Sequence, residues 1–150
     1  MRSKSPLTLM EQLVMILVFA LAAALCLQVF VFAGRVSARS EQTDHAVLVC
    51  QNAAETLKAA GRTASGADAA LEQAAQLLGG TLSQGVLNVY YDENWEQTEH
   101  ESNCAYLLRA QALPAAVTGL CRADVRVEPA GGADPLFSLT VAWQEVSAHE

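Results

Sequence analysis

The chain has 150 residues, 52% of them apolar and 17% charged, and a formal net charge of −7. An acidic exterior repels phosphate backbones and argues against a nucleic-acid partner, and so apolar a chain is not intrinsically disordered. The charge is uneven: Arg2 and Lys4 precede a long apolar run, and from Arg35 onward seven basic residues stand against fifteen acidic ones.

Leu13 to Ala33 (LVMILVFALAAALCLQVFVFA) holds 21 residues without a charge, and Gln28 is its only strongly polar side chain. At 1.5 Å per residue the run covers roughly 30 Å, one bilayer core, which predicts a membrane-inserted helix. Two processing alternatives compete with a retained anchor. A lipoprotein signal would acylate Cys26, yet Leu25 is bulky where such a signal takes a small residue, and the run continues past Cys26. A cleaved secretory signal would use Val31-Phe32-Ala33, but its apolar stretch of about 18 residues exceeds the usual 7–15. The retained anchor is the expectation. Arg2 and Lys4 flank one end, Arg35 and Arg39 the other, so the positive-inside count is tied. The free amino terminus favours a cytoplasmic N-terminus, which places the remainder of the chain outside.

Ahead of the run stands Leu7-Thr8-Leu9-Met10-Glu11. This resembles the start of type IV pilins and of the pseudopilins of type II secretion-like systems. There a short basic leader precedes an apolar, Thr, Leu, apolar, Glu sequence, and a peptidase cuts before its first residue. The resemblance implies that Leu7 begins the mature chain and that Glu11, its fifth residue, serves assembly. A carboxylate at the edge of a hydrocarbon layer is unfavourable alone, and a neighbouring subunit's N-terminal ammonium offers it a charge-assisted partner. The family leader ends in glycine, where this chain has Pro6; a ring that fixes φ and removes an amide predicts inefficient cleavage. Without assembly, Glu11 is an interfacial residue on a signal anchor.

From Arg35 the pattern stays helical. Val47, Cys50, Ala54 and Leu57 recur at spacings of 3, 4 and 3, with Glu41, Asp44, Gln51, Glu55 and Lys58 on other faces. Gly34 is the single weak point between Leu7 and Lys58, and Gly61 suits a helix end, so one helix of about 50 residues is expected. A plain juxtamembrane stalk or coiled coil is the alternative, although the stripe lasts only about two heptads. Ser65 and Asp68 form a candidate capping box. The short helix it opens has an apolar face of Leu71, Ala74, Ala75 and Leu78, closed by Gly79-Gly80.

Beyond Gly85 the period becomes two. Val86 to Tyr91 reads as a strand, Asp92-Glu93-Asn94 as a turn, and Trp95 to Thr98 as an antiparallel return. Cys104, Tyr106, Leu108 and Ala110 alternate on the next strand, and Pro114 to Gly119 forms a loop. Cys121, Ala123, Val125 and Val127 then alternate with Arg122, Asp124, Arg126 and Glu128, a half-buried strand. Pro129 to Pro135 is a turn, and Phe137, Leu139, Val141 and Trp143 alternate again. The fold class is therefore α+β: a long N-terminal helix, half membrane and half amphipathic, a short second helix, and an antiparallel sheet of about four or five strands packed on the helix. With the resemblance this is a pilin-like arrangement. Residues 1–12 are a cytoplasmic leader and interface, 13–33 the transmembrane helix, 34–60 its amphipathic continuation and 61–150 an extracytoplasmic head.

The chemistry-bearing residues are few. Cys26 lies in the apolar run as a small apolar side chain. Cys50, Cys104 and Cys121 are an odd number outside it; a Cys104–Cys121 disulfide would close a loop of about 18 residues, worth roughly 3 kcal/mol, and three buried free thiols are the alternative. The spacings resemble no zinc site. Asp92, Glu93, Glu96, Glu99 and Glu101 gather five carboxylates that calcium's preference for oxygen would suit. They match no EF-hand loop, however, and read as a solvated hairpin. His45, His100 and His149 follow no metal-ligand spacing, and neither Gly-Gly pair has a phosphate-loop context. No catalytic residue, cofactor or small-molecule substrate is expected; the expected partners are membrane lipid and copies of itself or related pilin-like subunits. Two functions follow: a structural subunit assembling through its helix, or a non-polymerising single-pass protein whose ectodomain binds a ligand or partner.

Overall fold

A computed structural model describes residues 5–99, 101–115, 117–132 and 134–145. His100 and His149 lie outside the described residues, as do the side chains of Pro6 and Leu7. Two compact units are present, Met1–Glu41 and Gln42–Glu150.

The first helix, α1, spans Ser5–Gly61 in 57 residues. Pro6 is the second described residue of this helix, and a proline's fixed φ is compatible with a helix's first turn. In the first unit every described side chain from Thr8 to Glu41 is exposed. In the second unit α1 buries Ala46, Cys50, Ala53, Ala54, Leu57 and Ala60. The predicted seam is therefore shifted at its start: Ala46 is buried where Val47 was expected, and Val47 is only half-buried. Small side chains let the helix backbone approach the sheet, while Leu87, Leu108, Val125, Val127 and Trp143 supply the bulk from the strands.

Helix α2 spans Ala67–Leu78 and buries Ala70, Leu71, Ala74 and Ala75. The expected capping box is not formed. Gly66, at φ 92°, occupies the N-cap without a side-chain hydrogen bond, one residue later than the box requires. The linking turn is held instead by Thr63, whose Oγ1 lies 3.1 Å from the Ala60 carbonyl and 2.9 Å from Gln73 Oε1. Gly79 ends α2 in the left-handed conformation (φ 63°), as its lack of Cβ allows.

Six strands follow: β1 (Thr81–Ser83), β2 (Val86–Tyr91), β3 (Gln97–Thr98), β4 (Tyr106–Leu113), β5 (Leu120–Pro129) and β6 (Phe137–Gln144). All pairings are antiparallel, in the order β1-β2-β4-β5-β6, with β3 on the same edge of β2 as β1. The alternation read for β2, β4, β5 and β6 holds, except that β4 begins at Tyr106 and leaves Cys104 ahead of it. In β5, Cys121, Ala123, Val125 and Val127 point inward between half-buried neighbours. Strand β1 was not expected. It joins β2 through Gln84-Gly85, both at positive φ (52° and 78°), the conformation of a two-residue type I′ hairpin. One inward-facing cross-strand row passes from edge to edge of the sheet through Leu82, Leu87, Ala110, Val125 and Leu139. The core between the sheet and the two helices is continuous and contains no buried charged residue among those described.

Candidate functional site

The first unit offers one feature, its surface. Leu, Ile, Val, Met and Phe side chains stand exposed from Leu9 to Val36, most of them by more than half. Monomeric soluble proteins rarely leave so extended an apolar surface bare. Within α1 the stretch is long and apolar enough to cross a membrane, and none of its most apolar window is buried by the fold. A core helix of a soluble domain would be covered. Glu11 is exposed near the start of this surface, and helix spacing puts it on one face with Met15 and Val18. Cys26 is an exposed position on the same helix.

The remaining cysteines are free thiols: Cys50 and Cys121 are buried and Cys104 is half-buried. The Cys104–Cys121 bridge is not formed, and the ladder explains why. Tyr106 pairs with Pro129 at one end of β4–β5 and Leu113 with Arg122 at the other, so the two cysteines flank opposite ends of an eight-residue strand. A disulfide needs Cα atoms within about 7 Å. Cys104 instead donates from Sγ to the Tyr106 carbonyl at 3.0 Å. Burial, with a smaller contribution from the Asp124 charge, pushes the Cys50 thiol up to about 12. Burial also raises Cys121 and Tyr91. These shifts set an alkaline limit. The unfolded chain releases the Cys50 proton above about pH 9 while the fold retains it, so stability falls as pH rises between about 9 and 12, by up to about 1.4 kcal/mol per unit for this proton. Urea midpoints at pH 8 and pH 10 should show the decline, and Cys50→Ala should flatten it.

The acidic hairpin has a structural carboxylate at its centre. Asp92 Oδ1 accepts from the backbone N–H groups of Asn94 and Glu96, each at 2.9 Å. Glu93, Glu96, Glu99 and Glu101 point to solvent, and no group of three or more candidate metal ligands occurs among the described residues. The turn projects Trp95, itself at φ 63°, between two rings. His45 of α1 stacks on it at 5.4 Å and Tyr106 of β4 at 4.0 Å, with planes 17° and 7° apart. Nothing in the local sequence signals this stack, because it joins three segments far apart in the chain. Trp95→Ala should cost about 2 kcal/mol, less than a fully buried aromatic. Faster amide exchange at Gln97 and Thr98 would show that β3 loosens with it.

Among the described residues no helix covers the outer face of the sheet. Arg109 and Arg126 are cross-strand partners, a like-charge pair relieved by Glu128 between them. Arg109 Nε lies 3.0 Å from Glu128 Oε1, and Arg126 Nε 3.7 Å from Oε2. The Glu128 side chain is 16% exposed and the two arginines 41%, so the cluster is partly solvated and contributes modestly to stability. With Arg122 it places three of the second unit's five basic residues on one face of an otherwise acidic unit. Comparison with protein-family models, with characterised proteins and with solved structures finds no match to this chain.

Proposed function

We propose that this chain is a membrane-anchored structural subunit, single-pass, with its N-terminus cytoplasmic and its sheet unit displayed outside the membrane. It assembles laterally through α1 with copies of itself or with related subunits, as type IV pilins and pseudopilins do, and has no catalytic centre. The observation that carries the reading is the bare apolar surface from Leu9 to Val36 with Glu11 at its head. Lipid and neighbouring helices are the two media that satisfy such a surface, and a carboxylate at its margin needs a cation or water. The alternative, a solitary anchored ectodomain that binds a partner, draws on the arginines of the outer sheet face. Leu7 is the proposed partner end of the contact, through its ammonium, in those copies whose leader is cut despite Pro6.

The intact protein should fractionate with membranes and resist alkaline extraction, and protease added from the outer side should remove the region after Arg35. A soluble species starting near Gly34 would refute the anchor, and protection of the outer region would reverse the orientation. Assembly is tested by cysteine crosslinking in the membrane at Leu17→Cys and Leu21→Cys, one helical turn apart, with Cys26 replaced by Ser. Crosslinked dimers are expected; their absence would favour the solitary ectodomain.

A further inference from the structure

We infer that the sheets of neighbouring copies join edge to edge, β1 of one copy adding as a parallel strand to β6 of the next. The inference rests on the assembly reading in one respect: it takes copies to stand side by side in one membrane, all in the same orientation.

Strand β6 is an undefended edge. Its eight residues, FSLTVAWQ, contain no charge and no proline, and its register with β5 is unbroken from Phe137 to Gln144. Edges meant to stay free carry charges, prolines or bulges. The hydrogen-bond phase of this edge follows from its end. Glu145 N–H donates to the Gly119 carbonyl at 2.8 Å, and every second pair continues that pattern through Cys121–Trp143 to Val127–Phe137. Ser138, Thr140, Ala142 and Gln144 therefore turn their N–H and C=O groups away from β5. At the opposite edge the two-residue loop makes Ser83–Val86 a bonded pair, so Leu82 turns its own N–H and C=O outward.

The two edges match. Leu82 and Leu139 end the same cross-strand row, so a sideways shift of one copy brings Leu82 opposite Leu139 of the next, on the same face. A parallel bridge at that position needs Leu82 N–H to donate to the Ser138 carbonyl and Thr140 N–H to donate to the Leu82 carbonyl. Those are the groups left free. Beside β6 runs a groove of about 410 Å³ against α1, lined by Ala54, Leu139 and Val141 among others. Leu82, 42% exposed on β1, is the side chain the shift delivers there. Charge favours this approach over others. Copies of a −7 chain repel, but β1 and β6 are uncharged and the charges at the groove, Glu55 and Lys58, pair with each other at 3.1 Å. Such a contact is heterologous and does not close, so it propagates from copy to copy.

The test uses the full chain in membranes, with Cys26 and Cys104 changed to Ser and two differently tagged copies co-expressed. One carries Thr81→Cys and the other Ser138→Cys, both exposed and on the row next to Leu82–Leu139. Oxidation should give a disulfide dimer of the two tags. Neither variant alone should give one, nor should Thr81→Cys with Gln144→Cys, six rows away. Adding Thr140→Pro to the Ser138→Cys copy removes an outward N–H without breaking a β5 bond, and should lower the yield at least tenfold. Absence of the Thr81–Ser138 dimer where the Leu17 and Leu21 helix crosslinks form would overturn edge pairing and leave assembly standing. Absence of both would overturn both. A dimer insensitive to Thr140→Pro would overturn the parallel bridge.

Discussion

Gly61→Ala is expected to unfold the sheet unit at markedly lower denaturant, although alanine is the better helix former by about 1 kcal/mol. Gly61 is the last residue of α1 and is buried. A Cβ there would run into the Trp143 indole, at Cδ1, Nε1 and Cγ. Neither side has room to yield. The ring is only 7% exposed, and Leu57 and Ala60, fully or almost fully buried, hold the last turn of the helix against the sheet. Overpacking of a tight core costs about 1–3 kcal/mol and occasionally more, so a net loss of about 3 kcal/mol is expected, on the order of 10 °C in Tm. Trp143 emission should shift as the ring is displaced. The cause can be isolated: in Gly61→Ala/Trp143→Leu the methyl meets a smaller side chain, and the double-mutant cycle should show a favourable coupling of about 1–2 kcal/mol. A neutral Gly61→Ala would mean that the helix end shifts freely over the strand, contrary to the packing around Leu57.

What could be read from sequence divides along a physical line. The apolar run before Gly34 and the alternation in β5 are local signals, each produced by one medium on one face, and both stand in the structure. Strand β1 escaped because three residues are too short for a period and Gln84-Gly85 is a weaker hairpin signal than Asn-Gly. The α1 seam differs at its start because Val47 and Ala46 stand three and four residues before Cys50, both helical spacings, and the sheet takes Ala46 because the helix lies close. Ser65 was a plausible cap by spacing, but Gly66 reaches a backbone angle that serine rarely adopts. The cysteine pairing was beyond sequence for another reason. Whether Cys104 meets Cys121 depends on the length of β4 and its register with β5, and that register separates them by the whole strand. The candidate site divides in the same way. The long apolar helix was legible because its signal lies in composition alone, and Glu11 at its head is a proposed contact. The arginine cluster around Glu128, the Trp95 stack and the matched edges at Leu82 and Leu139 were not legible, because each is assembled from segments distant in sequence.

Glu11→Ala should abolish the helix–helix crosslinks while leaving the sheet unit intact. In the proposed assembly the carboxylate sits where helices meet at the hydrocarbon margin, and the ammonium of a neighbour cut before Leu7 answers it. Removing one member of a desolvated ion pair leaves the other charge uncompensated, at a cost of about 3–5 kcal/mol. Each 1.4 kcal/mol is tenfold in an equilibrium constant, so a reversible contact weakens by at least a hundredfold, and crosslinks at Leu17→Cys or Leu21→Cys should fall to background. Glu11→Gln keeps the shape and the hydrogen-bonding capacity but not the charge, and should fail nearly as badly if the partner is an ammonium. At a headgroup boundary the outcome differs, because water and lipid already solvate the carboxylate and neither substitution disturbs its neighbours. Glu11 is remote in sequence from the packed residues of the second unit, which begin at Ala46. Unfolding of the sheet unit, followed by the emission of Trp95 and Trp143, should therefore be unchanged in both variants. Crosslinks indifferent to Glu11→Ala would remove the charge from the contact and return Glu11 to the role of an interfacial residue on a solitary anchor.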